Sequence, residues 1–193
     1  MTDSTDAPRA RKTALVVIDV QNSVMADTFD PAGVVERIGT LIQQAKAEKV
    51  PVIWVQHQDE ELVPGSDGWQ IVEAIRPGED DVVVPKRFND SFAETTLRET
   101  LDGLGVGHLV ITGAATDWCI RATTIRALVE GFDMTLVEDA HTTEDAIFDM
   151  TDGEKVPISA KQIIAHTNMC LCYVSYPGVT STIKPHNEVT FAT

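Results

Sequence analysis

Three residues able to do chemistry together fall near the ends of short apolar runs. Asp19 follows TALVVI, Lys86 follows DDVVVP, and Cys119 lies just beyond HLVITG. A thiol, a carboxylate and an ammonium form a set that can open a carbonyl. The thiol attacks carbon, the carboxylate takes the thiol proton and hands it to the leaving group, and the ammonium favours the thiolate. The stretch GAATDWC also runs straight into the helix-like IRATTIRALVEG. That puts the thiol where a helix N-terminus favours negative charge, on a turn whose backbone amides can donate to an oxyanion. Each residue has a plainer reading alone: Asp19 as a cap, Lys86 as a solvated cation, Cys119 as a small core hydrophobe. Their joint placement at three strand ends favours the chemical set.

Positioning such a set needs a particular framework. TALVVIDV (13–20) is a β-branched run suited to a strand buried on both faces. Residues 31–49 carry apolar side chains at helical spacing, with Pro31 in the first turn and Asp30 as N-cap. VPVIWV (50–55) reads as a strand, 69–75 as a short helix, 80–86 as a strand and 93–104 as a helix. Then come a strand (108–113), a helix (119–131), a strand (134–139) and a helix (159–168). The last strand falls at either 171–176 or 188–191. This alternation predicts an α/β fold: three layers, α/β/α, around a mainly parallel, roughly six-stranded sheet. Ligands in such sheets bind at the carboxyl ends of the strands, where the three residues lie. No linker or repeat interrupts the chain, so the expected organisation is a polar, disordered tail over 1–12 and a single domain over 13–193.

Several other residues are candidates near that edge. Gln21 is read as holding Asp19 or a substrate carbonyl, and His57 as touching substrate or bonding its loop. Phe92 and Trp118 are read as pocket walls, with a core role open for Phe92. Ser91 is expected to cap the following helix. His141 is expected to be a cap or solvated rather than a substrate ligand. Cys170 and Cys172 are expected to point into the core, with no zinc site, because no further Cys or His stands at ligand spacing.

Composition narrows the partners. Among 193 residues, 30 are acidic and 15 basic, a formal charge of −15 that argues against nucleic acid and anionic membranes. No apolar run is long enough to span a bilayer and the N-terminus has no signal-like apolar core, so a cytoplasmic protein is expected. Three cysteines with no regular spacing fit free thiols in a reducing compartment.

The three motifs ALVVIDVQN, VVPKRFNDSF and LVITGAATDWCIRATTIRALVEGF, in that order, resemble the isochorismatase-like cysteine hydrolases over about residues 13 to 168. The resemblance implies a three-layer fold with an Asp19–Lys86–Cys119 triad. It also implies a non-proline cis peptide at Ala114–Ala115 and an oxyanion hole formed by the amides of Ala115 and Cys119. It places Phe92 in the pocket and implies a homo-oligomer, dimer or tetramer, acting on a small molecule. The metal-binding Asp-x-His of nicotinamidases is missing from VQHQDEELVPGS, so no metal and no cofactor are expected. LVPGSDGWQI and SAKQIIAHTN look like the metal-free branch that includes streptothricin hydrolases. Presence of the cysteine favours hydrolysis of a C–N bond (amide, lactam or ureido) through a thioester acyl-enzyme. Two alternatives stay open: vinyl-ether or ester hydrolysis that uses Asp19, and a catalytically silent binding or assembly protein.

Overall fold

The structure, a computed structural model, describes residues 12–79 and 81–191. The tail expected over 1–12 lies outside the described residues except for Lys12, which opens the first strand. In chain order the elements are β1 (Lys12–Ile18), the single turn α1 (Asn22–Met25), α2 (Pro31–Ala47), β2 (Val52–His57), β3 (Val82–Lys86), α3 (Leu97–Leu104) and β4 (Val106–Ala114). Then follow α4 (Arg121–Val129), β5 (Asp133–Thr142), β6 (Ala146–Asp149), β7 (Lys155–Ile158), α5 (Ala160–Tyr173) and β8 (Ser181–Lys184).

Six strands form one sheet in the order β3-β2-β1-β4-β5-β8, and every neighbouring pair is parallel. The expected α/β fold with a six-stranded parallel sheet is therefore present. Side chains of β1 alternate between two cores, as the pleat requires. Leu15 and Val17 pack with Val34, Ile38 and Leu41 of α2, while Ala14, Val16 and Ile18 pack with residues of α3, α4 and α5. Strand order grows outward in both directions from β1, to β2 and β3 on one side and to β4, β5 and β8 on the other. That reversal of direction makes the β1–β4 boundary the switch point, where a crevice opens at the carboxyl ends.

Register brings those ends level. Ile18 pairs with Val55 on one side and Gly113 on the other, and His57 pairs with Lys86. Gly113 has φ +121, and a Cβ there would lie 1.9 Å from the Ile18 carbonyl oxygen. Only glycine allows β4 to approach β1 this closely. Gly113→Ala is expected to cost about 3 kcal/mol or more in urea unfolding, because the obstacle is backbone and cannot move aside. An unchanged denaturation midpoint would refute this reading of the contact.

Elsewhere the local expectations needed correction. The helix expected over 93–104 starts only at Leu97, because Glu94 adopts a left-handed backbone with φ 54 and breaks the turn. Ser91 is thus not its cap; its hydroxyl instead pairs with Thr123 Oγ1 at 2.8 Å. Asp30 does stand at the N-cap of α2 as expected, but with φ 51 and with its carboxylate also bound to Arg37. The helix expected over 69–75 shrinks to a 3₁₀ turn at Glu73–Ile75. Neither placement of the last strand held. Residues 171–173 finish α5, and the strand is Ser181–Lys184, a short edge strand with little apolar signal. Val189 and Phe191 are nonetheless buried, as core side chains without a strand. The β6–β7 hairpin was not anticipated. Beyond it, α5 starts at a capping box: Ser159 Oγ accepts from the Gln162 amide, and the Gln162 side chain accepts from the Ser159 amide.

Candidate active site

The first residue past β1 is Asp19, whose φ of 51 turns the chain sharply away from the sheet. Its backbone amide still reaches the Val55 carbonyl at 2.9 Å, so the side chain is anchored to the sheet edge. Lys86 is the last residue of β3 and is buried at its full length. Cys119 lies in a π-helical turn, Thr116–Ile120, which leads into α4. The peptide bond Ala114–Ala115 is cis, as the resemblance implied. The Ala115 carbonyl opens the turn by accepting from the amides of Trp118 and Ile120, both at 3.1 Å.

These three elements converge on the Lys86 ammonium. Its Nζ is 2.6 Å from Asp19 Oδ2, 3.1 Å from Cys119 Sγ and 3.0 Å from His57 Nδ1. An ammonium has three protons and no acceptor. Two hydrogen bonds, to Cys119 and His57, and one ion pair, to Asp19, fix its position. Because Lys86 can only donate, His57 Nδ1 must accept, and His57 Nε2 then carries the proton that faces Asp59 Oδ2 at 3.1 Å. Asp59 is fixed in turn by the amides of Glu61 and Leu62, which hold its carboxyl below the usual range.

Electrostatics sets the resting protonation. Burial raises the Asp19 carboxyl above its ordinary value, against the pull of Lys86 and the Cys119 thiol. Neither Asp19 oxygen has a well-aligned hydrogen-bond donor; the lysine contact is an ion pair off the ideal direction. Burial also pushes the Cys119 thiol up to about 12, and the neighbouring Asp19 carboxylate adds to the effect. Lys86 pulls in the opposite direction, as expected, but loses to these two. The anticipated thiolate is therefore not the resting form: the proton stays on sulfur, beside a carboxylate poorly supplied with donors.

This has a measurable consequence above neutral pH. An unfolded chain ionises its thiol near the ordinary 9.0, whereas the folded protein holds the proton to about 12. Between those values the folded state binds more protons, so this group's contribution to stability is lost as pH rises. Replacing Cys119 with Ser, which does not titrate there, is expected to flatten that part of the stability–pH curve relative to wild type. Parallel curves between pH 9 and 12 would contradict it.

Other anticipated residues have varied positions. Gln21 is fully buried and spends its amide protons on the His57 and Trp69 carbonyls, both at 2.9 Å, while its oxygen accepts from the His57 amide. Its side chain is a strut between the end of β1, the end of β2 and the Trp69 loop; toward Asp19 only the Gln21 backbone amide bonds, donating to the Asp19 carbonyl at 2.8 Å. His57 bonds Lys86 as well as its loop. Phe92 packs in the same core cluster as Cys119 and against Phe132, with ring centroids 5.8 Å apart. Trp118 is 60% exposed and, with Asp117 and Arg121, lines a groove of about 890 Å³ against the β6–β7 hairpin and α5. His141 was misread: it is buried, neither solvated nor a cap. Cys170 and Cys172 are exposed rather than in the core, since their helix turns them outward.

Sequence reasoning missed Asn89, whose Oδ1 stands 3.8 Å from Cys119 Sγ, and Asp59, the partner of His57. Only the nearness of Asn89 to Lys86 in KRFND pointed to the first. Among the described residues, no group of three or more His, Cys, Asp or Glu is placed to hold a metal ion. No helix among them is long and apolar enough to cross a membrane.

A streptothricin hydrolase of Streptomyces noursei is 32% identical over 151 residues, 75% of this chain and 60% of that protein. The chain thus spans less than two thirds of that relative. The ureidoacrylate amidohydrolase RutB of Klebsiella pneumoniae is 30% identical over 155 residues, 58% of this chain and 66% of that protein. Among solved structures, an isochorismatase from Pseudomonas putida KT2440 superposes with a TM-score of 0.82 at 27% identity, covering 96% of this chain and 94% of that one. Residues 13–154 match the isochorismatase domain, a span that contains β1, β3 and the Cys119 turn. The chain that carries this Asp, Lys and Cys cluster on its parallel sheet belongs to the isochorismatase family.

Proposed function

We propose that the protein is a metal-independent cysteine amidohydrolase that cleaves a C–N bond of a small amide, lactam or ureido compound. The observation that carries this is the Lys86 ammonium, which hydrogen-bonds Cys119 and His57 and forms an ion pair with Asp19, so that thiol and carboxylate meet at one point. Names of relatives agree with the reaction class, one being an amidohydrolase and another a hydrolase of streptothricin. A homo-oligomer in the cytoplasm remains the expected setting.

The reaction begins with a neutral thiol. As Sγ bonds to the carbonyl carbon, its proton passes to Asp19, and the carbonyl oxygen becomes an oxyanion. The amides of Ala115 and Cys119 are the donors proposed for that oxygen. Asp19 returns the proton to the departing nitrogen, and the C–N bond breaks to leave a thioester on Cys119. Water then attacks the thioester while Asp19 takes its proton, and the acid leaves as sulfur recovers a proton. Lys86 stays charged throughout and stabilises the anionic form of whichever partner, sulfur or carboxylate, carries it. His57 fixes Lys86, and Asn89 orients the thiol. Phe92 and Trp118 are assigned to the walls of the approach, Gln21 to its support.

The test is intact-protein mass spectrometry during turnover of a panel of small amides, lactams and ureido compounds. A covalent acyl adduct on Cys119 is expected, absent in Cys119→Ala. Turnover without dependence on Cys119 would reject the mechanism. The raised carboxyl of Asp19 favours one second reading, in which Asp19 acts as an acid on a vinyl ether or ester. That reading requires Cys119→Ala to remain active and Asp19→Asn to be dead.

A further inference from the structure

His141 is a buried titratable residue that the mechanism above leaves unused. It lies on β5 opposite Gly113 of β4, just past the irregularity in register between those strands. Both ring nitrogens are engaged: Nδ1 is 2.8 Å from Thr116 Oγ1, and Nε2 is 2.9 Å from Asn168 Oδ1 on α5. The direction of each bond follows from the far end. Asn168 gives its amide proton to the Glu138 carbonyl at 3.1 Å, so its Oδ1 is the end facing the imidazole. An amide oxygen only accepts, so His141 Nε2 carries the proton. Burial holds this imidazole neutral, pushing it down to about 4, against the nearby Asp139 carboxylate. Nδ1 of a neutral ring protonated at Nε2 is an acceptor, and the Thr116 hydroxyl donates to it.

Thr116 is the first residue of the turn that carries Cys119, directly after the cis-linked Ala115. The same turn is held a second time by Thr143, two residues past His141, whose hydroxyl donates to Asp117 Oδ1 at 2.6 Å. The end of β5 thus grips two successive residues of the nucleophile turn, and α5 locks the ring that does so.

We propose that His141 is a positioning residue, fixed by Asn168 in its Nε2–H form so that it holds Thr116 and, through it, the turn that presents Cys119 and the amides of Ala115 and Cys119. The role rests on the hydrolase reading for its chemistry, but the relay itself does not. Mispositioning a reacting group by a fraction of an ångström slows the chemical step more than it weakens substrate binding. Thr116→Val removes the donor and keeps the volume; Thr116→Ser keeps the donor. His141→Gln keeps a donor toward Asn168 and loses the acceptor toward Thr116.

Nitrogen NMR of the folded wild-type protein is expected to show His141 as the Nε2–H tautomer at neutral pH. The Nδ1 signal should move in Thr116→Val and stay put in Thr116→Ser. A protonated Nδ1, or a signal indifferent to Thr116→Val, overturns the relay. On any amide that the wild type hydrolyses, Thr116→Val and His141→Gln should lower kcat by about tenfold or more with little change in KM, and Thr116→Ser should restore it. Equal kcat in all four proteins overturns the positioning role. If the panel yields no turnover, the hydrolase reading fails, and iodoacetamide decides the relay. Alkylation of Cys119 should then slow several-fold in Thr116→Val but not in Thr116→Ser, and equal rates in both overturn it.

Discussion

Cys119→Ser is expected to reduce hydrolysis by about four orders of magnitude while leaving the protein folded. Oxygen replaces sulfur within 3.1 Å of the Lys86 ammonium, so the polar contact survives and the packing barely changes. Stability near neutral pH should shift by only about 1 kcal/mol. Reactivity should not survive, because a hydroxyl is far harder to deprotonate than a thiol. Even the thiol here is pushed up to about 12 by burial and by Asp19. The wild-type site works only if proton transfer to Asp19 accompanies attack, and an alkoxide asks more of that carboxylate than it can accept. Measurement of kcat/KM for wild type, Cys119→Ser and Cys119→Ala on one substrate settles the matter. Losses of similar size in both variants fit a nucleophile. Full activity in Cys119→Ala, together with a dead Asp19→Asn, would move the chemistry to the carboxylate.

The strand ends were legible in sequence because buried parallel strands are continuous apolar runs, and a charge that interrupts one is conspicuous. Asp19 and Lys86 stood out for that reason, and five of the sheet's six strands follow from the same runs. The thiol's protonation was not legible. A lysine and a helix N-terminus both argue for a thiolate, while the burial that defeats them arises from three distant segments closing over one point. His57 could be placed at the edge, but not its tautomer, which depends on Lys86 and Asp59 on either side of the ring. Gln21 was read as holding Asp19 or a substrate carbonyl, whereas the backbones of His57 and Trp69, 36 and 48 residues away, take up its side-chain amide. His141 was misread for a related reason: its partners, Thr116 and Asn168, are 25 and 27 residues away, and no local pattern marks them. The edge strand β8 and the β6–β7 hairpin lack the long apolar run that identifies a central strand, so periodicity had little to find there.

Lys86→Met should abolish activity and destabilise the fold by about 3–5 kcal/mol near neutral pH, since it leaves the buried Asp19 carboxylate without a counter-charge. The size of that loss should depend on pH. Asp19 already sits above its ordinary 3.8 because burial outweighs the attraction of Lys86. Without the ammonium its folded-state pKa must rise further, while the unfolded value stays where it was. A group with a raised folded pKa lends its stability fully below the unfolded pKa and loses it as pH rises through the folded one. Lys86→Met should therefore be nearest to wild type in acid, where Asp19 is protonated and neutral, and fall behind as pH climbs toward neutrality. Adding Asp19→Asn removes the stranded charge altogether. The double variant should regain most of the lost stability at neutral pH and none of the activity, and its pH slope should disappear. Urea unfolding of wild type, Lys86→Met and the double variant at acid and neutral pH reads out all three statements. If Lys86→Met lost the same stability at both pH values, or the double variant recovered none, the lysine would be filling space rather than neutralising Asp19. Recovered stability with no recovered turnover would instead separate its two roles, as the counter-ion that lets the carboxylate be buried and as the charge that holds thiol and base in one working cluster.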